Sequence, residues 1–332
     1  MNAPLHKPVM LAEMLAAIAP RDGASYVDGT FGAGGYSRAI LDAADCSVYA
    51  IDRDDDAVAL GRAMEQDYPS RFTILCGRFG DMLSLLERHG IERVDGVVLD
   101  LGVSSMQLDR PQRGFSFRAD GPLDMRMSQS GPSAADVVNG LEERALAEII
   151  RDLGEERFAR RVARAIVEAR HLAPITRTEQ LADIVRRAVP RAKDGIDPAT
   201  RTFMALRLHV NDELGELDRG LEAAERVLVA GGRLVVISFH SLEDRRVKHF
   251  MQSRSRASQG VSRHRPQPGS APMPTFKLVQ RRALAPSEDE IRSNPRARSA
   301  RLRMAATSAF IRSRSMSATR SSMVGQLPLR WS

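Results

Sequence analysis

Three carboxylates, Asp28, Asp52 and Asp100, each close a short apolar run, and the first opens onto a turn holding Gly29, Gly32, Gly34 and Gly35. Glycines let a backbone take positive φ and approach a ligand that any Cβ would block, and a helix starting just after them offers unpaired N–H groups. A nucleotide-like ligand suits that chemistry. A dinucleotide fingerprint needs Gly or Ala at its third position, where this chain has Ser37 after Gly32 and Gly34. The mismatch favours S-adenosylmethionine over NAD. Asp28 is placed to take up the ammonium of an amino-acid end, directly or through water, and Asp52 to accept both ribose hydroxyls. The bland alternative is a glycine-rich turn with no ligand.

These residues need strands to carry them. Ser25 to Val27, Ser47 to Ile51, Phe72 to Cys76 and Gly96 to Leu99 read as strands, alternating with helices at Ser37 to Ala44, Asp54 to Gln66 and Asp81 to Arg88. That alternation predicts a parallel α/β sheet, with a ligand beyond the carboxyl ends of its strands. Phe79, just past the third strand, either lies against adenine or plugs the core. After a long helix from Phe203 to Leu228, ended by Gly231-Gly232, a strand from Leu234 to Phe239 leads into His240 and a helix capped by Ser241. His240 either contacts a base or phosphate or only fixes the turn. Two closing strands, Phe276 to Gln280 and Ala300 to Ala306, follow a Ser-, Gly- and Pro-rich linker from Ser253 to Pro274 and make a seven-stranded sheet.

The alternation is interrupted once. Residues 106 to 131 mix Gly, Pro, Arg and Phe without period, as functional loops do. Their arginines either hold phosphates while phenylalanines stack on an unpaired base, or pair with the loop's own aspartates while phenylalanines anchor it. From Ser133 to Ile196 the pattern is helical: Leu146, Ile149, Ile150 and Leu153 form one face, and Phe158, Val162 and Ile166 recur every fourth residue among Arg157, Arg160, Arg161 and Arg164. Most of these arginines read as a solvated face. Thr176 with Glu179 predicts a capping box before Leu181.

At 332 residues, with 43% hydrophobic and 27% charged, the chain can bury a large core. It lacks an apolar stretch long enough to span a bilayer, and the run Val9 to Ala19 is broken by Glu13, so a cytoplasmic location is expected. Two cysteines, Cys46 and Cys76, indicate neither a disulfide framework nor a metal site. The net charge of +7 is uneven: from Arg245 onward 19 Lys or Arg face three acids, a surplus of +16, leaving −9 for residues 1–244. An extended basic region predicts nucleic-acid contact, although its Ser/Arg-rich end reads equally as a flexible tail.

Together, Asp28-Gly-Thr-Phe-Gly-Ala-Gly-Gly-Tyr36, Asp100-Leu-Gly-Val-Ser-Ser105, Arg113-Gly-Phe-Ser-Phe117, Asp120-Gly-Pro-Leu-Asp-Met-Arg126, Ser238-Phe-His-Ser-Leu-Glu-Asp244, Asn294-Pro-Arg-Ala-Arg-Ser299 and His6-Lys-Pro-Val-Met10 resemble the RsmH (MraW) family over nearly the whole chain. The resemblance implies a class I (Rossmann-like) methyltransferase domain from residues 1–105 and 199–311, an inserted loop and helical substrate-recognition domain from 106–198, and a basic tail from 312–332. It implies S-adenosylmethionine-dependent methylation of N4 of one cytidine in the decoding region of 16S ribosomal RNA, within the small subunit. By the family pattern Gly34, Gly35, Tyr36, Asp52, Phe79, Asp100 and Gln107 line the cofactor site. Tyr36 stands where a histidine is common, so its backbone is expected to matter most. Methylation at cytosine C5 needs a cysteine nucleophile, whereas an amine needs only alignment and an acceptor. The Pro-Pro-aromatic motif of many amino-methyltransferases is absent after Asp100, which leaves the acceptor open between Asp100 and a nearby carbonyl, with Phe115, Phe117 or Phe239 stacking on the base. A non-catalytic ribosome-assembly protein and a nicotinamide oxidoreductase are the competing readings, and the oligomeric state is open, a dimer included.

Overall fold

The computed structural model describes residues 8–128, 130–190, 195–255 and 273–308. The linker between Ser253 and Pro274 falls mostly outside them, and the tail from 312 wholly so. Four apolar runs form β1 (Ser25–Asp28), β2 (Ser47–Asp52), β3 (Phe72–Cys76) and β4 (Val94–Asp100), all parallel. With β5 (Leu228–Ser238), β6 (Phe276–Leu278) and β7 (Arg301–Thr307) they make one seven-stranded sheet in the order β3-β2-β1-β4-β5-β7-β6. Only β7 runs antiparallel to its neighbours. This is the class I methyltransferase architecture.

Successive strand residues point to opposite faces, and both faces are covered. Tyr26, Ile74, Val98 and Val235 pack under α1 (Leu11–Ile18), α2 (Gly35–Ala43) and α3 (Asp55–Asp67). Their neighbours Val27, Leu75, Leu99 and Val236 form a second cluster. That cluster takes in α4 (Met82–Glu87) and, after the short α5 (Ser105–Asp109) and the helical insert, two further helices. The insert comprises α6 (Ala134–Gly140), α7 (Glu143–Gly154), α8 (Ala159–Leu172) and α9 (Thr178–Ala188), followed by α10 (Ala199–Asn211). Next, α11 (Glu213–Val227) and α12 (Ser241–Ser255) complete the second face through Leu217, Leu221 and Val247, and α13 (Glu288–Ser293) precedes β7. The insert has its own core, in which Leu146, Ile150, Val162, Ile166, Leu181 and Val185 are each worth about 2 kcal/mol of burial.

Several local expectations change. The helix read as continuous from Phe203 to Leu228 is two helices, because Asp212 adopts φ 50° between α10 and α11. Asn and Asp tolerate that conformation best, and the Asn211 side chain turns away to bond Met125 O (2.7 Å) and the Met127 N–H (2.9 Å). Ala199, Phe203 and Leu206 accordingly pack in the insert's core, whereas α11 packs on the sheet. The Gly231-Gly232 pair does not end a helix; it lies within β5, where pairing with β4 jumps from Val94↔Leu228 to Gly96↔Arg233. The Thr176–Glu179 box does not form either. Helix α9 starts at Thr178 with Arg177 in the N-cap position and is capped from the loop, Asp120 Oδ1 accepting from Glu179 N (3.2 Å).

The irregular loop pairs partly with itself and partly with its neighbours. Arg126 holds Asp124 in a fork at 2.9 and 2.6 Å, and Arg177 holds Asp120 at 2.7 Å. A Cβ on Gly121 would sit 1.9 Å from Pro111 O, so the Asp-Gly-Pro-Leu-Asp-Met-Arg stretch is packed closely between the rest of the loop and the start of α9.

Candidate cofactor and substrate cleft

Strand order reverses between β1 and β4, and beyond their carboxyl ends lies a cavity of about 450 Å³. That size falls in the range of small-ligand sites. Its wall includes Gly35, Tyr36, Asp52, Phe79, Asp100, Gln107 and Phe239. The glycine turn supplies one rim. Gly34 sits at φ 78° as the residue before α2, and a Cβ on Gly35 would meet Pro8 Cγ at 2.2 Å, so these positions need glycine for different reasons. Pro8 and Val9 close over the turn. The Tyr36 hydroxyl donates to Val9 O (2.5 Å), so this side chain pins the amino-terminal segment onto the cleft, a role beyond the backbone contribution expected to matter most.

Asp52 ends β2 with both oxygens facing backbone donors, Oδ2 accepting from Gly32 N (2.8 Å) and Oδ1 from Asp54 N (2.9 Å). Each carboxylate oxygen has a second lone pair, so the group can still accept two hydroxyls from the cleft. Burial raises its pKa, opposed by those N–H groups. Phe79 starts a 3-10 turn with its ring against α11, where a Cβ on Gly220 would meet the ring at 2.4 Å. Gln107 is engaged within the protein: it forms a capping box with Ser104 at the start of α5 and donates Nε2 to Asp54 Oδ2 (2.7 Å). Asp54 is the hub of this corner. It caps α3 through Asp56 N (3.1 Å) and pairs with Arg113 (2.9 Å) from the loop. Arg113 also donates to the carbonyls of Arg126 and Met127, both at 3.0 Å. The insert is thereby fastened to the strand end that carries Asp52.

Asp100 lines the cleft from the end of β4. Its N–H donates to Thr30 Oγ1 (2.7 Å), and its Oδ1 is buried with no hydrogen-bond partner. An unpaired buried carboxylate oxygen costs several kcal/mol, so it marks a place where a donor is expected. Burial, then the charge of Asp28, push its pKa well up; the Tyr36 hydroxyl works in the opposite direction.

Asp28 does not reach the cleft. It is completely buried, accepting from Ser37 Oγ (2.7 Å) and Thr30 N (3.2 Å), which fastens the glycine turn to α2 from beneath. Burial raises its pKa to about 6, and the expected contact with an ammonium is replaced by a structural role. Phe115 and Phe117 also lie elsewhere. Phe115 is in the insert's core, and Phe117 packs edge-on against Phe203 with ring centroids 4.8 Å apart. Of the three aromatics expected to stack on a base, only Phe239 lines the cleft. His240 turns inward: both ring nitrogens are buried, and Nε2 lies 3.0 Å from Glu243 Oε1, the buried carboxylate that also fixes the turn. Ser241 is not the cap. Glu243 reaches back to Phe239 N (2.9 Å) and His240 N (3.4 Å), fixing the turn that presents Phe239, while Ser241 Oγ donates to Glu155 of the insert (2.5 Å).

The sequence reading missed a charged floor. Arg53 lies 2.9 Å from the buried Glu216 and donates to Asn211 O (3.1 Å), and Arg207 forks onto Glu213 at 2.8 and 3.0 Å. All four line the cleft, but Arg53 and Glu216 are separated by more than 150 residues of sequence, and no local spacing announces such a pair. The basic carboxyl end is also less free than its composition suggests. Arg245, Arg246, Arg254, Arg292, Arg296 and Arg303 are all paired with acids. Cys46 is buried and Cys76 exposed, and neither lines the cleft. Among the described residues, no cluster of side chains could hold a metal ion and no helix is long and apolar enough to cross a membrane.

Known proteins share the sequence that carries this cleft. Residues 3–308 match the model of the MraW methylase family. The chain is 62% identical over 305 residues to the ribosomal RNA small subunit methyltransferase H of Paramagnetospirillum magneticum, covering 92% of this chain and 96% of that one. It is also 62% identical over 301 residues to the protein of the same name from Rhodospirillum centenum, covering 91% and 92%. The glycine turn, Asp52 and the unpaired Asp100 oxygen thus sit in a chain that belongs to the MraW methylase family, with S-adenosylmethionine as its cofactor.

Proposed function

We propose that this protein transfers a methyl group from S-adenosylmethionine to N4 of a specific cytidine in the decoding region of 16S ribosomal RNA, with the small ribosomal subunit as its setting. The residues present fit the cofactor. Asp52 has lone pairs for the ribose hydroxyls, Phe79 offers a face for the adenine, and the turn ending at Gly35 and Tyr36 adjoins the remaining end. When bound, the cofactor supplies an electrophilic methyl group on a sulfonium.

The observation that carries the reading is the buried, unpartnered Oδ1 of Asp100 in a cleft bordered by Phe239. A cytosine seated against Phe239 would donate its amine to that oxygen. The hydrogen bond orients the nitrogen lone pair toward the methyl and favours a pyramidal nitrogen, which is the geometry of the transition state. A nitrogen–carbon bond forms as the carbon–sulfur bond breaks, and the nitrogen then releases its proton to water. The protein needs no covalent step. A C5 reaction would need a cysteine thiolate at the base, and neither cysteine borders the cleft. The helical insert is read as the part that recognises substrate.

The test is mass spectrometry of small-subunit rRNA nucleosides from cells with and without this protein. Loss of N4-methylated cytidine alone is expected; loss of a C5 or ribose methyl would overturn the assignment.

A further inference from the structure

The amino-terminal turn of α8 carries the charge pattern that the fold least explains. Arg157, Arg160, Arg161 and Arg164 fall at i, i+3, i+4 and i+7, opposite the buried Val162, Ala163 and Ile166. The first turn of α8 holds no acid, so Arg160 and Arg161 face the positive end of the helix dipole. Among the described residues, Arg164 has only Glu143 at 3.8 Å, and Arg157, Arg160 and Arg161 have no hydrogen-bond or ion-pair partner from their side chains. The contrast with the carboxyl end, whose described arginines are largely paired, is plain.

Phe158 stands among these arginines. It is 37% exposed, the only phenylalanine among the described residues classed as exposed. Its N–H is held by the buried Glu156 (2.8 Å), so its position is fixed. The turn before it is stapled to the cleft. Glu155, in a left-handed conformation at φ 49°, accepts from Ser241 Oγ (2.5 Å) and Arg245 (3.0 Å). Ser241 is two residues from Phe239 in the cleft wall. A strained non-glycine backbone is kept only where its surroundings enforce it, and here it locks the α8 turn beside the cleft.

We infer that Phe158, Arg157, Arg160 and Arg161 form a platform for single-stranded RNA next to the target nucleotide, the phenylalanine stacking on an unpaired base and the arginines holding its phosphates. This surface deepens the proposed rRNA reading and rests on it.

Phe158→Leu keeps the apolar bulk and removes the aromatic face, Phe158→Tyr keeps both, and a third variant combines Arg160→Gln with Arg161→Gln. With small-subunit RNA and saturating S-adenosylmethionine, Phe158→Leu is expected to raise KM for RNA about tenfold. Its kcat, cofactor affinity and melting temperature should stay at wild-type values, and Phe158→Tyr should match wild type. The double arginine variant should lower the slope of log binding constant against log salt by about 1.4, two single-strand phosphate contacts. Wild-type KM in Phe158→Leu with an unchanged salt slope in the arginine variant would overturn the platform, as would a KM rise that tracks a lowered melting temperature. Binding is read separately by fluorescence anisotropy, so absence of methyl transfer by the wild-type protein would count against the rRNA reading alone.

Discussion

Replacing Asp100 with asparagine separates stability from catalysis in a direction that few substitutions share. The carboxylate is buried beside Asp28, and its pKa lies well above the ordinary value because burial, then the Asp28 charge, disfavour ionisation. Between the unfolded pKa of 3.8 and that raised folded value, the folded chain holds a proton that the unfolded chain has lost, so this group's contribution to stability falls as pH rises. Asp100→Asn removes the cost of ionisation and nearly keeps the shape. The variant should therefore melt higher than wild type at pH 8, with the gain shrinking as pH is lowered through the range where Asp100 takes up its proton. Catalysis should move the other way. A hydrogen bond to the ionised carboxylate contributes about 1.5–3 kcal/mol, which corresponds to a loss of about 10- to 150-fold in kcat at a pH where Asp100 is ionised. Calorimetric melting across pH, single-turnover methyl transfer and cofactor titration read the three quantities. Turnover within twofold of wild type would refute the acceptor role. A loss confined to cofactor affinity would place Asp100 on the donor's amino-acid end alone.

Two other substitutions probe the supports of the cleft. Arg113→Met leaves Asp54, which is 4% exposed, without its cation. Breaking such a buried pair costs about 3–5 kcal/mol, so a lower melting temperature and weaker S-adenosylmethionine binding are expected; Arg113→Lys should rescue little, because one ammonium cannot reproduce the fork that also holds Arg126 O and Met127 O. For Asp28, a rise from 3.8 to about 6 corresponds to about 3 kcal/mol of stability lost by wild type as pH rises through that window. Asp28→Asn can still accept from Thr30 N and donate to Ser37, so the difference in denaturation free energy between variant and wild type should grow in the variant's favour from pH 4 to pH 6; a flat difference would contradict the assigned burial.

What the sequence made legible was whatever depends on local pattern. The runs ending in Asp28, Asp52 and Asp100 became strands because unbroken apolar residues serve both faces of a parallel sheet, and the carboxyl-end rule then placed the cleft. Roles that depend on distant partners were not legible. Asp28 and Asp52 follow strands in the same way, yet a shallow difference in depth puts one under the glycine turn and the other on the cleft. Phe115, Phe117 and Phe239 are the same residue type in similar loops, and only tertiary packing, which draws the first two onto the insert's core, leaves Phe239 on the cleft. The 3–4 apolar period ran through Asp212 because each helix has an apolar face of its own, α10 toward the insert and α11 toward the sheet, so the break could be signalled only by the adjacent Asn211-Asp212 pair. Arg53 and Glu243 went unnoticed for the converse reason, since each looked like an ordinary exposed charge until Glu216, Phe239 and His240 were brought against them.

The most direct test of the central claim joins the two molecules in one tube. The purified protein is incubated with S-adenosylmethionine carrying a 13C methyl group and with small-subunit RNA whose cytidines carry 15N at N4, and the product is examined by NMR. A one-bond coupling between the methyl carbon and the exocyclic nitrogen is predicted, appearing at least about tenfold more slowly with Asp100→Asn. A methyl signal without nitrogen coupling, or none from a protein that binds both partners, would contradict the account.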